Sequence, residues 1–129
     1  MNKILVEVSV GELLDKISIL EIKKEKISDS GSLKFIQKEY LILKEQLDQN
    51  IKSDNKIDEL FNSLKDINLK LWNIEDKKRM CEKNSDFGDE FIKLSRDIHF
   101  LNDSRSKVKL EINKYTGSKI REIKQYTSY

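Results

Sequence analysis

Two runs of apolar side chains set the terms for everything else in this chain. Ile57, Leu60, Leu64, Ile67, Leu71 and Ile74 follow one another at steps of three and four, and the stride continues through Lys78 and Cys81. After Asn84-Ser85-Asp86-Phe87-Gly88 it resumes with Phe91, Leu94, Ile98, Leu101, Arg105, Val108, Ile112 and Tyr115. A 3-4 stride puts such residues on one stripe of an α-helix, so two runs joined by a turn predict two long helices packed along a shared seam. Arg105 is the oddity, a cation in the middle of the second seam.

The rest of the chain reads as further helix with an arm at each end. Residues 3–10 alternate Ile4, Val6, Val8 and Val10 with Leu5, Glu7 and Ser9, which predicts a short strand or extended arm. Its backbone groups need partners if buried, and the C-terminal tail or the same segment of a second subunit are the candidates. Ser9-Val10-Gly11-Glu12 has the spacing of a capping box at the head of helix 1, which runs to about residue 27. Ser28-Asp29-Ser30-Gly31 is expected to stop it. Helix 2 then starts near Ser32, with Leu33, Ile36, Tyr40, Leu43 and Leu47 on its stripe and Phe35, Leu41 and Ile42 off it. Helix 3 covers about 56–83 and helix 4 about 89–115, ended by Thr116-Gly117. Tail residues Ile120, Ile123, Tyr126 and Tyr129 predict a segment that lies along the bundle in part and frays at its end.

The expected fold is therefore all-α: an antiparallel bundle of about four helices, dominated by the helix 3–helix 4 hairpin, with short extended arms, and residues 1–129 forming one domain. The absence of proline and the scarcity of glycine agree with long uninterrupted helices. Exposed apolar positions on helices 1 and 2 point to a homodimer.

Composition removes several function classes. Charged residues are 37% of the chain, yet the net charge is only +2. The segment from Arg105 to Lys124 holds seven cations against two anions, a mildly basic end and not a polyelectrolyte. Cys81 is the lone cysteine, which excludes an internal disulfide and a cysteine zinc framework. No apolar run approaches the ~20 residues of a bilayer span. Glu7 and Glu12 interrupt any signal-peptide core. A soluble, cytoplasmic protein is the expectation.

Chemistry concentrates beside the seams. Asn68, Trp72, Glu75, Arg79 and Glu82 form a second stripe on helix 3, and Asn102, Arg105, Lys109 and Asn113 form one on helix 4. A hairpin turning near Ser85 sets Asn68 and Trp72 level with residues 100–105. Buried charge is costly unless paired, so Arg105 is expected either to meet Glu75, Asp76 or another acid, or to border a water-filled anion pocket. The plain reading is a paired network that fixes helix register. The functional one is a small-molecule site of Asn68, Trp72, Glu75, Asp76, Arg79, Asn102, Asp103, Arg105, Lys109 and Asn113, suited to a phosphate- or carboxylate-bearing ligand. His99, the only histidine, lies off the seam and reads as a surface imidazole. Glu21 and Glu25 sit one turn apart, as ligands of a hard cation would, but such pairs are usually just solvated, and no metal or cofactor is expected.

Several blocks together carry a resemblance. They are Val8-Ser9-Val10-Gly11-Glu12-Leu13-Leu14-Asp15-Lys16 continuing into Ile19-Leu20-Glu21-Ile22-Lys23, Leu71-Trp72-Asn73-Ile74-Glu75-Asp76, Asn102-Asp103-Ser104-Arg105 with Lys109 and Ile112-Asn113, and the tail from Gly117-Ser118. The chain resembles an uncharacterised bacterial family of short helical proteins known only as a domain of unknown function. The resemblance implies soluble proteins, some tied to surface-polysaccharide gene neighbourhoods, with no assigned activity. Its recurring positions map onto Asp15, Lys23, Trp72, Glu75, Asp76, Arg79, Asn102, Asp103, Arg105, Lys109 and Asn113.

Three functions compete. The first is a non-enzymatic binding or scaffolding module, dimeric, acting on an anionic small molecule or beside a glycan- or nucleotide-handling partner enzyme. The second is a small all-α enzyme. Chorismate-mutase-like use of Arg79, Arg96, Arg105 and Lys109 is conceivable, but helix 1 supplies no arginine, and the carboxylate run of helical pyrophosphohydrolases is absent. The third is nucleic-acid binding through Arg105 to Lys124 with Tyr115, Tyr126 and Tyr129, opposed by the near-zero net charge.

Overall fold

A computed structural model describes residues 2–129, and its helices begin and end where side chains satisfy the free backbone groups. They are α1 (Val10–Lys26), α2 (Ser30–Asn50), α3 (Asn55–Lys83) and α4 (Asp89–Thr116). No strand forms among the described residues. Residues 2–8 are an exposed arm without helix or strand, Ser9 is the buried cap residue, and Val10, expected at the end of a strand, is the first residue of α1. Asp29 caps α2 by accepting from the Ser32 amide at 2.8 Å, so Gly31 sits inside the first turn of α2 and does not terminate α1. Asp54 caps α3 through the Ile57 amide at 2.8 Å and also accepts the Tyr115 hydroxyl at 2.6 Å, tying the two ends of the hairpin together. Gly117 closes α4 in the left-handed conformation, φ 66°, where a side chain is strained.

The expected bundle is present, and α3 with α4 is its most extensive helix pair. Each seam is nevertheless only partly dry: Leu64 and Ile112 are fully buried, whereas Arg105 and Val108 are half-buried and Tyr115 is exposed. The missing cover is α1, which packs against all three other helices, while α2 packs on α1 alone. Leu14 of α1 joins Ile57, Leu60, Leu64 and Ile112 in the central apolar cluster, edged by Val10, Leu47, Phe61 and Val108. Each fully buried aliphatic side chain there contributes roughly 1.5–3 kcal/mol of burial free energy.

Candidate functional site

The polar centre of the molecule is built around a residue of α1. Asp15 is 1% exposed. Its Oδ1 accepts from Asn68 Nδ2 at 2.8 Å and from Arg105 Nε at 3.0 Å. Its Oδ2 accepts from Arg105 Nη2 at 2.5 Å and lies 3.4 Å from Lys109 Nζ. Ser18, one turn on, donates to the Asp15 carbonyl and accepts from Asn68 Nδ2, both at 2.8 Å. The acid that meets Arg105 is thus on α1 and is neither Glu75 nor Asp76, both of which are exposed on α3. It is the other acid that the sequence allowed, supplied by a third helix that packs across the α3–α4 hairpin.

The head of α1 is locked to the same stretch of α4. Gly11 N–H donates to Asn113 Oδ1 at 2.7 Å, and Val10 N–H donates to the Ser118 hydroxyl at 3.1 Å. Ser9 Oγ accepts from the Glu12 amide at 3.0 Å, as the capping pattern predicts. Glu12 does not complete the box; its carboxylate turns to Lys109 Nζ at 2.6 Å. A charged partner on α4 outcompetes the Ser9 backbone amide. The helix contacts at Gly11 are so close that an added Cβ would lie 2.6 Å from the Lys109 carbonyl oxygen.

Beside this network runs an open groove of about 540 Å³. Asn68, Trp72, Glu75, Asp76, Arg79, Asn102 and Arg105 line it together with the apolar side chains Ile19, Ile22 and Leu71. Seven of the ten candidate residues therefore share one cavity. Lys109, Asp103 and Asn113 do not line it: they border a second depression between α4 and the C-terminal tail, where Asn113 is buried by its bond to Gly11. Arg105 and Asn102 also border a smaller cavity of about 230 Å³ with Glu12, Ser106, Lys109, Glu122 and Lys124.

Over residues 4–129 the sequence matches a family described as "Family of unknown function (DUF6165)". The chain belongs to that family. No curated protein and no solved structure matches it. The family's description names no activity.

Electrostatically the network is saturated. Burial pushes the Asp15 carboxyl up, but the hydrogen bonds from Arg105 and Asn68 and the charges of Arg105 and Lys109 outweigh it and hold it below the ordinary carboxylate value. Arg105 is raised by its bond to Asp15, against burial. For Lys109, burial works downward and is overcome by Glu12, Asp15 and Glu122. Asp15 is consequently a paired carboxylate that orients a guanidinium.

Other candidates disperse. Glu21 and Glu25, weighed as ligands of a hard cation, instead share the ammonium of Lys65 at 3.2 and 3.1 Å. His99 is exposed and packs against Tyr129 and Phe100, with ring centroids 4.8 and 5.6 Å away. Among the described residues the ligand atoms of Cys81, Asp86 and Glu90 lie within 4.8 Å of one another at the α3–α4 turn. Burial and the two carboxylates push that thiol up. The tail, residues 118–129, forms no helix or strand and returns along α4 through Glu122 to Lys109 and Tyr129 to Asp103. No helix of the described residues is long and apolar enough to cross a membrane.

Sequence reasoning from spacing missed Asp15, Ser18 and Gly11. A signal was present: Gly11, Asp15, Ser18 and Ile22 follow a 4-3-4 stride and are all buried, a second stripe beside the apolar Leu14, Ile17 and Leu20.

Proposed function

We propose that this protein is a non-enzymatic binding module whose ligand site is the groove along Trp72 and Arg105. One observation carries the reading: seven polar and aromatic candidates from two helices converge on one cavity of about 540 Å³ with an apolar wall from α1, a volume within the range of small-molecule sites. The charged lining is balanced, Arg79 and Arg105 against Glu75 and Asp76, and Arg105 is further neutralised by Asp15. Such a surface offers donors and acceptors in equal measure, so a hydroxyl-rich molecule such as a sugar fits it better than a bare anion does. Half-buried Trp72 supplies an apolar surface for the ring of such a ligand. Catalysis is disfavoured because the most buried carboxylate is fully committed to Arg105, Asn68 and Lys109.

Self-association and location belong to the same proposal. The outer face of α2 exposes Phe35, Leu41 and Ile42. Two copies apposed along this face bury those side chains against each other, so the partner is a second copy of the chain. A buried, unpaired Cys81 thiol suits a reducing cytoplasm.

Thermal-shift and titration measurements against a panel of monosaccharides and nucleotide sugars test the site. Binding is expected for the wild type, and Trp72→Ala, which truncates a half-buried side chain on the groove wall, is expected to lower affinity by about tenfold or more, roughly 1.4 kcal/mol. Equal affinity in that variant would remove the groove from consideration.

A further inference from the structure

The small cavity on the other side of Arg105 has a different character from the groove. Its volume, about 230 Å³, is below the ~300 Å³ at which sites for whole small molecules begin; it suits one chemical group. Three cations border it, Arg105, Lys109 and Lys124, together with the Asn102 amide and the Ser106 hydroxyl. Arg105 gives Nε and Nη2 to Asp15, and the N–H groups of its Nη1 take no part in that pair.

The negative charge facing these cations comes from two unequal carboxylates. Glu12 is held by α1 and sits 2.6 Å from Lys109 Nζ. Glu122 belongs to the tail, stands 3.4 Å from Lys109 and 3.6 Å from Lys124, and its side chain is 50% exposed. No helix or strand fixes it. Lys109, by contrast, is only 11% exposed and rigidly placed between α1 and α4. Arg105 and Lys109 are thus held by the helices and paired with Asp15 and Glu12, whereas Glu122 reaches Lys109 from the tail together with Lys124.

We infer that this cavity is a subsite for a phosphate group, in which the Glu122 carboxylate is an internal substitute that the phosphate displaces. Arg105 and Asn102 border both this cavity and the groove, so a single ligand can span the two, its hydroxyl-rich part along Trp72 and its phosphate against Lys109 and Lys124. The ligand class is then a phosphorylated sugar. That last step rests on the groove reading proposed above, whereas the phosphate subsite stands without it.

Isothermal titration of the full chain with inorganic phosphate, glucose and a panel of hexose phosphates tests the inference. Saturable binding of inorganic phosphate is expected in the wild type. Glu122→Gln should tighten it roughly two- to fivefold, the range expected for losing one competing, half-exposed ion pair, and Lys124→Met should weaken it by a similar factor. Both residues lie in the tail, so circular dichroism should show an unchanged helical bundle. No saturable phosphate binding, or phosphate affinity indifferent to both substitutions, overturns the subsite even if glucose still binds the groove. Phosphate binding that responds as expected, with no hexose phosphate tighter than phosphate itself, upholds the subsite and overturns the phosphorylated sugar as one ligand spanning both cavities. A hexose phosphate that gains affinity over phosphate in the wild type and loses that gain in Trp72→Ala supports both.

Discussion

Asp15 shows how one buried residue can decide the behaviour of several exposed ones. Its two oxygens face Asn68, Arg105 and Lys109; removing its charge leaves Arg105 without its acid in a half-buried site, while Lys109 keeps Glu12 and Glu122. Breaking a buried pair from one side typically costs about 3–5 kcal/mol. Asp15→Asn is expected to lose stability of that order in urea denaturation, whereas Asp15→Leu combined with Arg105→Met should recover part of the loss, because an apolar pair needs no partner. The pH dependence follows from the lowered Asp15 carboxyl. A carboxylate depressed by folding stabilises the native state above its unfolded value, near ~3.9, and that contribution is lost as pH falls through the folded value. Urea denaturation of the wild type should therefore show stability falling below about pH 4, and the slope should flatten in Asp15→Asn. Raised Lys109 has the opposite sign: its contribution is present below ~10.4 and disappears only in strong alkali.

At the scale of elements, α1 is the helix that must satisfy neighbours on several sides at once. Its first turn has no room for a side chain at position 11, where a Cβ would come within 2.6 Å of a backbone oxygen that cannot swing away. Gly11→Ala is expected to destabilise the fold by about 1–3 kcal/mol through overpacking, although alanine is the better helix former by ~1 kcal/mol. Gly31→Ala is the matched control. It lies in the first turn of α2, its nearest neighbour is an aspartate oxygen at an ordinary 3.5 Å, and the substitution should be neutral or stabilising by about 0.5–1 kcal/mol. Chemical denaturation of the two variants side by side separates the crowding of α1 from the general cost of glycine. The comparison also shows what a sequence hides: both glycines stand two residues after a helix cap, Ser9 or Asp29, and only the packing of α1 on α4 makes one of them indispensable.

Across the whole molecule, the asymmetry lies in α2. It contributes Ile36 to the buried set and leaves its opposite face in solvent, Phe35 being 78% exposed. If that face is the self-association surface, sedimentation velocity should report a dimer for the wild type and a monomer for Phe35→Ser with Ile42→Ser, both folded by circular dichroism. A wild-type monomer at high concentration would rule the surface out. Neither substitution touches the groove, so ligand affinity should be preserved in the double variant.

The local periodicities of this chain determined its helices, because a 3-4 stride of Leu and Ile can bury its apolar side chains only as a helix packed on another helix. Ser9, Asp29 and Asp54 set where α1, α2 and α3 begin, and Gly117 where α4 ends, because each satisfies or redirects nearby backbone groups. The candidate residues on α3 and α4 were legible for the same reason, since helical spacing alone places Trp72, Glu75 and Arg79 on one side. Pairing was not legible. Whether Arg105 meets Glu75, Asp76 or Asp15 depends on which helix lies across the hairpin, a choice made by the burial of Leu14, Ile17 and Ile22 on α1 and by no local pattern. The tail's carboxylate at Lys109 likewise belongs to tertiary structure alone, because thirteen residues and a left-handed turn separate two groups that only the folded chain brings together.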